Sequence, residues 1–248
     1  IVKEQFPAIQ VNYAPPTKTT HLSEAIQIVT KKLDFSKLDQ MELNFNSIVY
    51  QLKETQEIII DTIQYPWDYL KAIKNILDNY VLESKISSSA IISKTTVIEG
   101  PCIIEENVVI DDFCKIKGPI FIGKDSFVGM GSLVRNCMFG EKTSIGFNCE
   151  ISKSYFSGHT ETALHNVLLH SVIGGNVWFG GYSGTANVLL TKKNVKYQIN
   201  DALIDTGINH FGAVVGDNSA VGAAVIILPG RQVPPNSTIQ AGTIFGKK

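Results

Sequence analysis

Residues 86–134 read ISSSAIISKTTVIEGPCIIEENVVIDDFCKIKGPIFIGKDSFVGMGSLV. Ile86, Ile92, Ile98, Ile104, Ile110, Ile116, Ile122, Val128 and Val134 stand six residues apart throughout. Neither an α-helix nor an isolated strand has this period. After a one-residue slip the beat continues at Phe139, Ile145 and Ile151, and it returns at Val215, Val221, Ile227, Val233, Ile239 and Phe245. A hexapeptide with one inward aliphatic is one short strand plus a corner. Three of them make one coil of a triangular prism, and coils stack at the strand spacing of about 4.8 Å. The expected fold class is mainly β: a single left-handed parallel β-helix over residues 84–248, preceded by a small N-terminal α/β segment over 1–83.

A second inward column stands four residues after the first. It reads Ala90, Thr96, Cys102, Val108, Cys114, Ile120, Ser126, Ser132 and, after the slip, Thr143 and Cys149. Three of the four cysteines fall into it, and no pair has CxxC spacing. They are expected to be small buried hydrophobes rather than zinc or redox ligands. Glycine, Glu or Asp often follows the inward aliphatic, as a tight corner favours.

Within the first segment, Ser23-Glu24 opens an amphipathic helix running to about Leu33, and Glu57–Ile63 reads as a buried strand. Pro66 suits a first helical turn. Behind it Trp67, Leu70, Ile73, Ile76, Leu77 and Val81 form one apolar helix face. This segment is expected to cap an end of the coil.

The formal net charge of −1 and the two arginines, Arg135 and Arg231, argue against a nucleic-acid partner. No apolar run approaches the roughly 18 residues of a membrane span, and no signal-peptide layout opens the chain. Free cysteines without a signal suit a reducing cytoplasm. A chain that starts at Ile1 rather than Met is expected to be a fragment or a processed form. None of the 20 glycines precedes Gly100, so the first 99 residues hold no glycine loop to cradle a nucleotide phosphate.

The beat breaks between Ile151 and Ile173 and again between Phe179 and Val215, and most chemically interesting residues lie there. The six-residue repeat resembles the hexapeptide acyltransferases. The whole layout is similar to the C-terminal half of bifunctional sugar-1-phosphate nucleotidyltransferase/acetyltransferases, with the helix around Pro66-Trp67-Asp68-Tyr69-Leu70 matching the one that closes their nucleotidyltransferase domain. The resemblance implies an acetyl-CoA-dependent N-acetyltransferase acting on an amino sugar phosphate or nucleotide sugar, assembled as a homotrimer. It implies His165 as general base, Asn187 as orienter, and Arg135, Lys153, Lys193 and Lys196 as substrate contacts. The family's tyrosine, three residues after the histidine, is Leu168 here. The types suit the chemistry: a neutral imidazole takes a proton from the attacking amine, an amide orients, and cations hold phosphates.

Two other readings compete. The coil resembles a trimerisation scaffold without chemistry of its own. His165 and His170 also resemble a pair of zinc ligands in γ-type carbonic anhydrases, but the upstream position, near Gly129, offers no third histidine, and the expectation is no metal.

Overall fold

The computed structural model describes residues 65–199 and 202–246. The helix expected from Ser23 and the strand expected at 57–63 lie outside them. Strands β1 (Lys85–Ile86), β2 (Ile91–Ile92) and β3 (Val97–Glu99) make the first coil. Each begins one of three parallel sheets of eight strands, the first, second and third faces of a prism. Ile86 pairs with Ile104, Ile92 with Ile110 and Ile98 with Ile116. The chain is therefore the mainly β, three-sided parallel β-helix that the six-residue period predicts.

From Cys102 to Ile227 both inward columns are buried and form one continuous core, with Arg231, Ser237 and Phe245 only partly buried near the end. All four cysteines are buried and free. Cys137 belongs to this core with the other three, because the slip after Val134 carries it into the second column. Each fully buried aliphatic side chain there contributes about 1.5–3 kcal/mol relative to exposure.

The first expected interruption is not one. Tyr155–Phe156, Glu161–Thr162 and Val167–Leu169 continue the three faces, with Phe156, Thr162 and Leu168 buried. What changes is the coil length. Phe139 pairs with Phe156 and Phe156 with Ile173, so these coils have 17 residues instead of 18. The missing residue is always lost at the edge between the third and first faces. There Asn136, Lys153 and His170 each turn the corner with φ of 50°, 48° and 48°, a left-handed conformation uncommon for residues other than glycine. Leu168 points into the core, so a tyrosine at that position would fill the prism rather than face a substrate.

The second interruption is an excursion. The chain leaves after Gly184–Thr185 and rejoins at Ala213–Val215. Between them Lys196–Ile199 pairs with Ala202–Asp205 as an antiparallel hairpin. The return passes so close to the coil that a Cβ on Gly212 would lie 2.2 Å from Leu169 O and from Ser171 Oγ. Only glycine fits there.

Helix α1 (Asp68–Tyr80) follows Pro66 as the apolar spacing predicts. It buries Tyr69, Ala72, Ile73, Ile76 and Leu77. Its partners are Ile103, Phe121, Met138, Tyr155, Val172 and Val214, the outward row of the first face. That face is thus covered on both sides, which explains why its strands lack apolar/polar alternation. Just before α1, Trp67 stacks on Tyr65 at 4.4 Å and meets the edges of Tyr197 at 5.5 Å and Phe211 at 6.3 Å. Helix and excursion are therefore locked together over the same face. Among the described residues, no helix is long and apolar enough to cross a membrane.

Candidate active site

The 17-residue coils stack chosen residues into columns. Asn136, Lys153, His170 and Asn187 are 17 apart and share the edge between the third and first faces. The ladder that holds them is made of main chain. Lys153 N donates to Arg135 O and His170 N to Ser152 O, each at 2.9 Å. Gly212 N donates to His170 O at 2.9 Å, so the returning excursion closes over this corner.

His170 is half-buried. Its Nδ1 lies 2.9 Å from Asn187 Nδ2, and its ring lies 5.3 Å from that of His210, on the returning excursion. Burial first, then electrostatic repulsion from Lys153, His210 and Arg135, pushes His170 down to about 4, so the ring is neutral at physiological pH. A cavity of about 1100 Å³ opens beside it, walled by α1, by residues 206–210 of the excursion and by the edge with Asn136, Lys153 and His170.

The other sequence-predicted residues divide. Arg135 and Lys153 reach this edge, and Arg135 is ion-paired with Glu150. Its Nε is buried with no hydrogen-bond partner. Lys193 and Lys196 are exposed on the excursion; Asn194, between them, lines the cavity.

His165 stands elsewhere. It turns the corner between the second and third faces with φ of 57°, in a column with Gly131, Asn148 and Tyr182. Asn148 Nδ2 lies 3.1 Å from its Nδ1. Tyr182 stacks on the ring at 4.9 Å, and Phe147 meets it edge-on at 5.4 Å. His165 and Asn187 are therefore on different edges, and the histidine beside Asn187 is His170. His165 and His170, the pair of the zinc reading, are on different edges too. Among the described residues no group of three or more His, Cys, Asp or Glu side chains is placed to hold a metal ion. The sequence singles out His170 only as half of a zinc-like pair, not as a partner of Asn187. The signal that finds it is the 17-residue interval back to Lys153 and on to Asn187.

The repeat and the excursion make this a hexapeptide-repeat parallel β-helix, and its sequence is similar to that of proteins named as acetyltransferases. No protein-family model matches the chain. The chain is 33% identical over 183 residues, 73% of its length, to the bifunctional protein GlmU of Methanococcus vannielii, of which it covers 43%. It is 28% identical over 223 residues, 87% of its length, to the bifunctional sugar-1-phosphate nucleotidylyltransferase/acetyltransferase of Sulfurisphaera tokodaii, covering 55% of that protein. An uncharacterized acetyltransferase of Escherichia coli, YaiX, is 27% identical over 185 residues, 71% of this chain and 80% of its own. The chain thus spans about half the length of the bifunctional relatives it matches.

Proposed function

We propose that the chain transfers acetyl from acetyl-CoA to the amine of an amino sugar phosphate or nucleotide sugar, with His170 in the role that the family resemblance gives to His165. The observation that carries this reading is the His170–Asn187 pair beside a cavity lined by His170 and Lys153. In the proposed step the amine nitrogen attacks the thioester carbonyl carbon. His170 Nε2 takes the proton that nitrogen sheds. The carbonyl re-forms, the C–S bond breaks, and CoA leaves as a thiol once its sulfur has taken up a proton. For Nε2 to accept, the proton of the neutral ring must sit on Nδ1. The Asn187 amide, turned over so that Oδ1 faces Nδ1–H, holds that tautomer.

A base with so low a proton affinity is weak, and efficiency is greatest near the operating pH. An anionic acceptor offsets Lys153 and Arg135 and raises His170 on binding. The base is thereby strengthened when the substrate is in place.

A homotrimer is part of the proposal. Met130, Phe147, Leu164 and Tyr182 lie exposed along the edge between the second and third faces, with Trp178 and Val167 beside them. A contiguous apolar stripe of this kind marks an association surface. It lies on the opposite side of the third face from the cavity, so association there leaves the site open. The relatives' names support acetyl transfer over the scaffold reading. The test is release of free thiol from acetyl-CoA with glucosamine 1-phosphate as acceptor, with the acetylated amine identified by mass. Turnover supports the proposal; no thiol release with any amino sugar, phosphorylated or not, leaves the scaffold reading in its place.

A further inference from the structure

The cavity beside His170 lies within one chain, and its far wall is not part of the coil. That wall is α1. Lys71 and Lys74 line the cavity from α1, and Lys153 lines it from the coil edge. Three amides, Asn136, Asn194 and Asn209, line it between them. Lysines and amides lining one cavity suit a compact polyhydroxylated molecule carrying phosphate. The two acids of this wall are partly engaged already. Asp68 Oδ2 accepts from Tyr65 N at 2.9 Å, and Asp78 is paired with Lys74 one turn earlier. Exposed i,i+4 pairs of that kind are weak, and an incoming phosphate competes with Asp78 for Lys74 at small cost.

We propose that α1 is the specificity wall of the acceptor site, and that Lys74, aided by Lys71, holds the acceptor's phosphate across the cavity from His170. This rests on the acetyl-transfer reading and adds to it a residue outside the coil. It gives the helix before the β-helix a direct part in choosing the substrate. Its apolar face locks it to the first face, and its Lys71 and Lys74 line the cavity that His170 also lines. The position of α1 is set by Ile73, Ile76 and Leu77 in the shared core, which fixes the helix whose Lys71 and Lys74 line the cavity.

The test measures the preference for glucosamine 1-phosphate over glucosamine, as a ratio of kcat/KM, in the wild type, Lys74→Ala, Lys74→Arg and the Lys71→Ala/Lys74→Ala double variant. A hydrogen bond to a charged group sets the scale: the preference should fall about tenfold in Lys74→Ala and further in the double variant, through KM for the phosphorylated acceptor. Lys74→Arg should restore most of it, since a guanidinium also binds phosphate. An unchanged preference overturns the proposal. So does an equal loss on both acceptors that Lys74→Arg fails to rescue, which marks a structural role. If the wild type releases no thiol with either acceptor, the acetyl-transfer reading fails. Calorimetric binding of glucosamine 1-phosphate then decides the wall separately. Weaker binding by Lys74→Ala than by the wild type upholds it, and equal or no binding overturns it.

Discussion

Two edges of the same prism carry nearly the same corner. On each a histidine turns in the left-handed conformation, with an asparagine amide about 3 Å from its Nδ1: His165 with Asn148, and His170 with Asn187. Local geometry does not separate them. What differs is what lies outside. Over His170 the excursion returns and α1 packs alongside, so burial and neighbouring cations hold the ring neutral beside a cavity. Among the described residues, His165 meets Tyr182 and Phe147 amid exposed apolar side chains. A repeat can copy a corner many times. On the proposed reading, the parts that break the repeat decide which copy works.

Damage to either edge should therefore have a different signature. The largest effect is expected for Phe147→Asp, which puts a charge into the apolar stripe. Sedimentation should show the assembled species replaced by monomer, whereas Asn136→Asp on the cavity edge should leave the assembly intact; a wild type that sediments as a monomer would remove trimer formation from the account. Next, Asn187→Leu should lower kcat by about tenfold, equivalent to roughly 1.4 kcal/mol, through loss of the tautomer-setting partner. Asn148→Leu on the other edge should change it less than twofold on that scale. Equal effects would dissolve the distinction between the edges.

A third expectation concerns pH. His170 has its proton affinity depressed in the folded state, so the unfolded chain binds the proton more tightly. Stability is then fully present above the ordinary histidine value of about 6.5 and is lost as pH falls toward 4. Thermal melts of His170→Asn should show a shallower fall across that window than the wild type. The smallest effect belongs to a third edge, between the first and second faces. There Glu105 is 6% exposed, accepts from Lys124 N at 3.0 Å through Oε2, and has no partner on Oε1. Burial pushes its carboxyl up to about 7. The folded state thus favours the protonated form, and stability present at acid pH is lost as pH rises through 7. Glu105→Gln should raise the melting temperature at pH 8 and change it little at pH 4.

The coil was legible in the sequence because a buried column admits only apolar or small residues, and Ile86 through Val134 obey that rule at every sixth place. The stretch from 152 to 172 read as a break because its inward residues are Phe156, Thr162 and Leu168, with a polar one in the middle and a five-residue step on either side. Thr162 is buried and donates no apolar signal, yet its hydroxyl accepts from Gly146 N at 3.1 Å, which makes its place in the prism possible. Leu168 read as a missing active-site tyrosine for a similar reason. Its inward direction follows from the register of the shortened coil, which a fixed six-residue count does not carry. Arg135, Lys153 and Asn187 come forward from the family resemblance, and the 17-residue coil then sets Lys153 and Asn187 in one column. The cavity does not come forward, because α1 reaches it by packing on the outward row of the first face, a contact with no periodic trace.

On the proposed reading, chemistry sits on the edge with His170. The most direct measurement compares acetyl transfer by His170→Ala and His165→Ala at matched folding, judged by their melting temperatures. Loss of a general base at His170 should cost about 10²–10⁴-fold in kcat, while loss of His165 should cost no more than a small fraction of that. A large loss in His165→Ala with near-normal turnover in His170→Ala would contradict the claim and move the active site to the opposite edge.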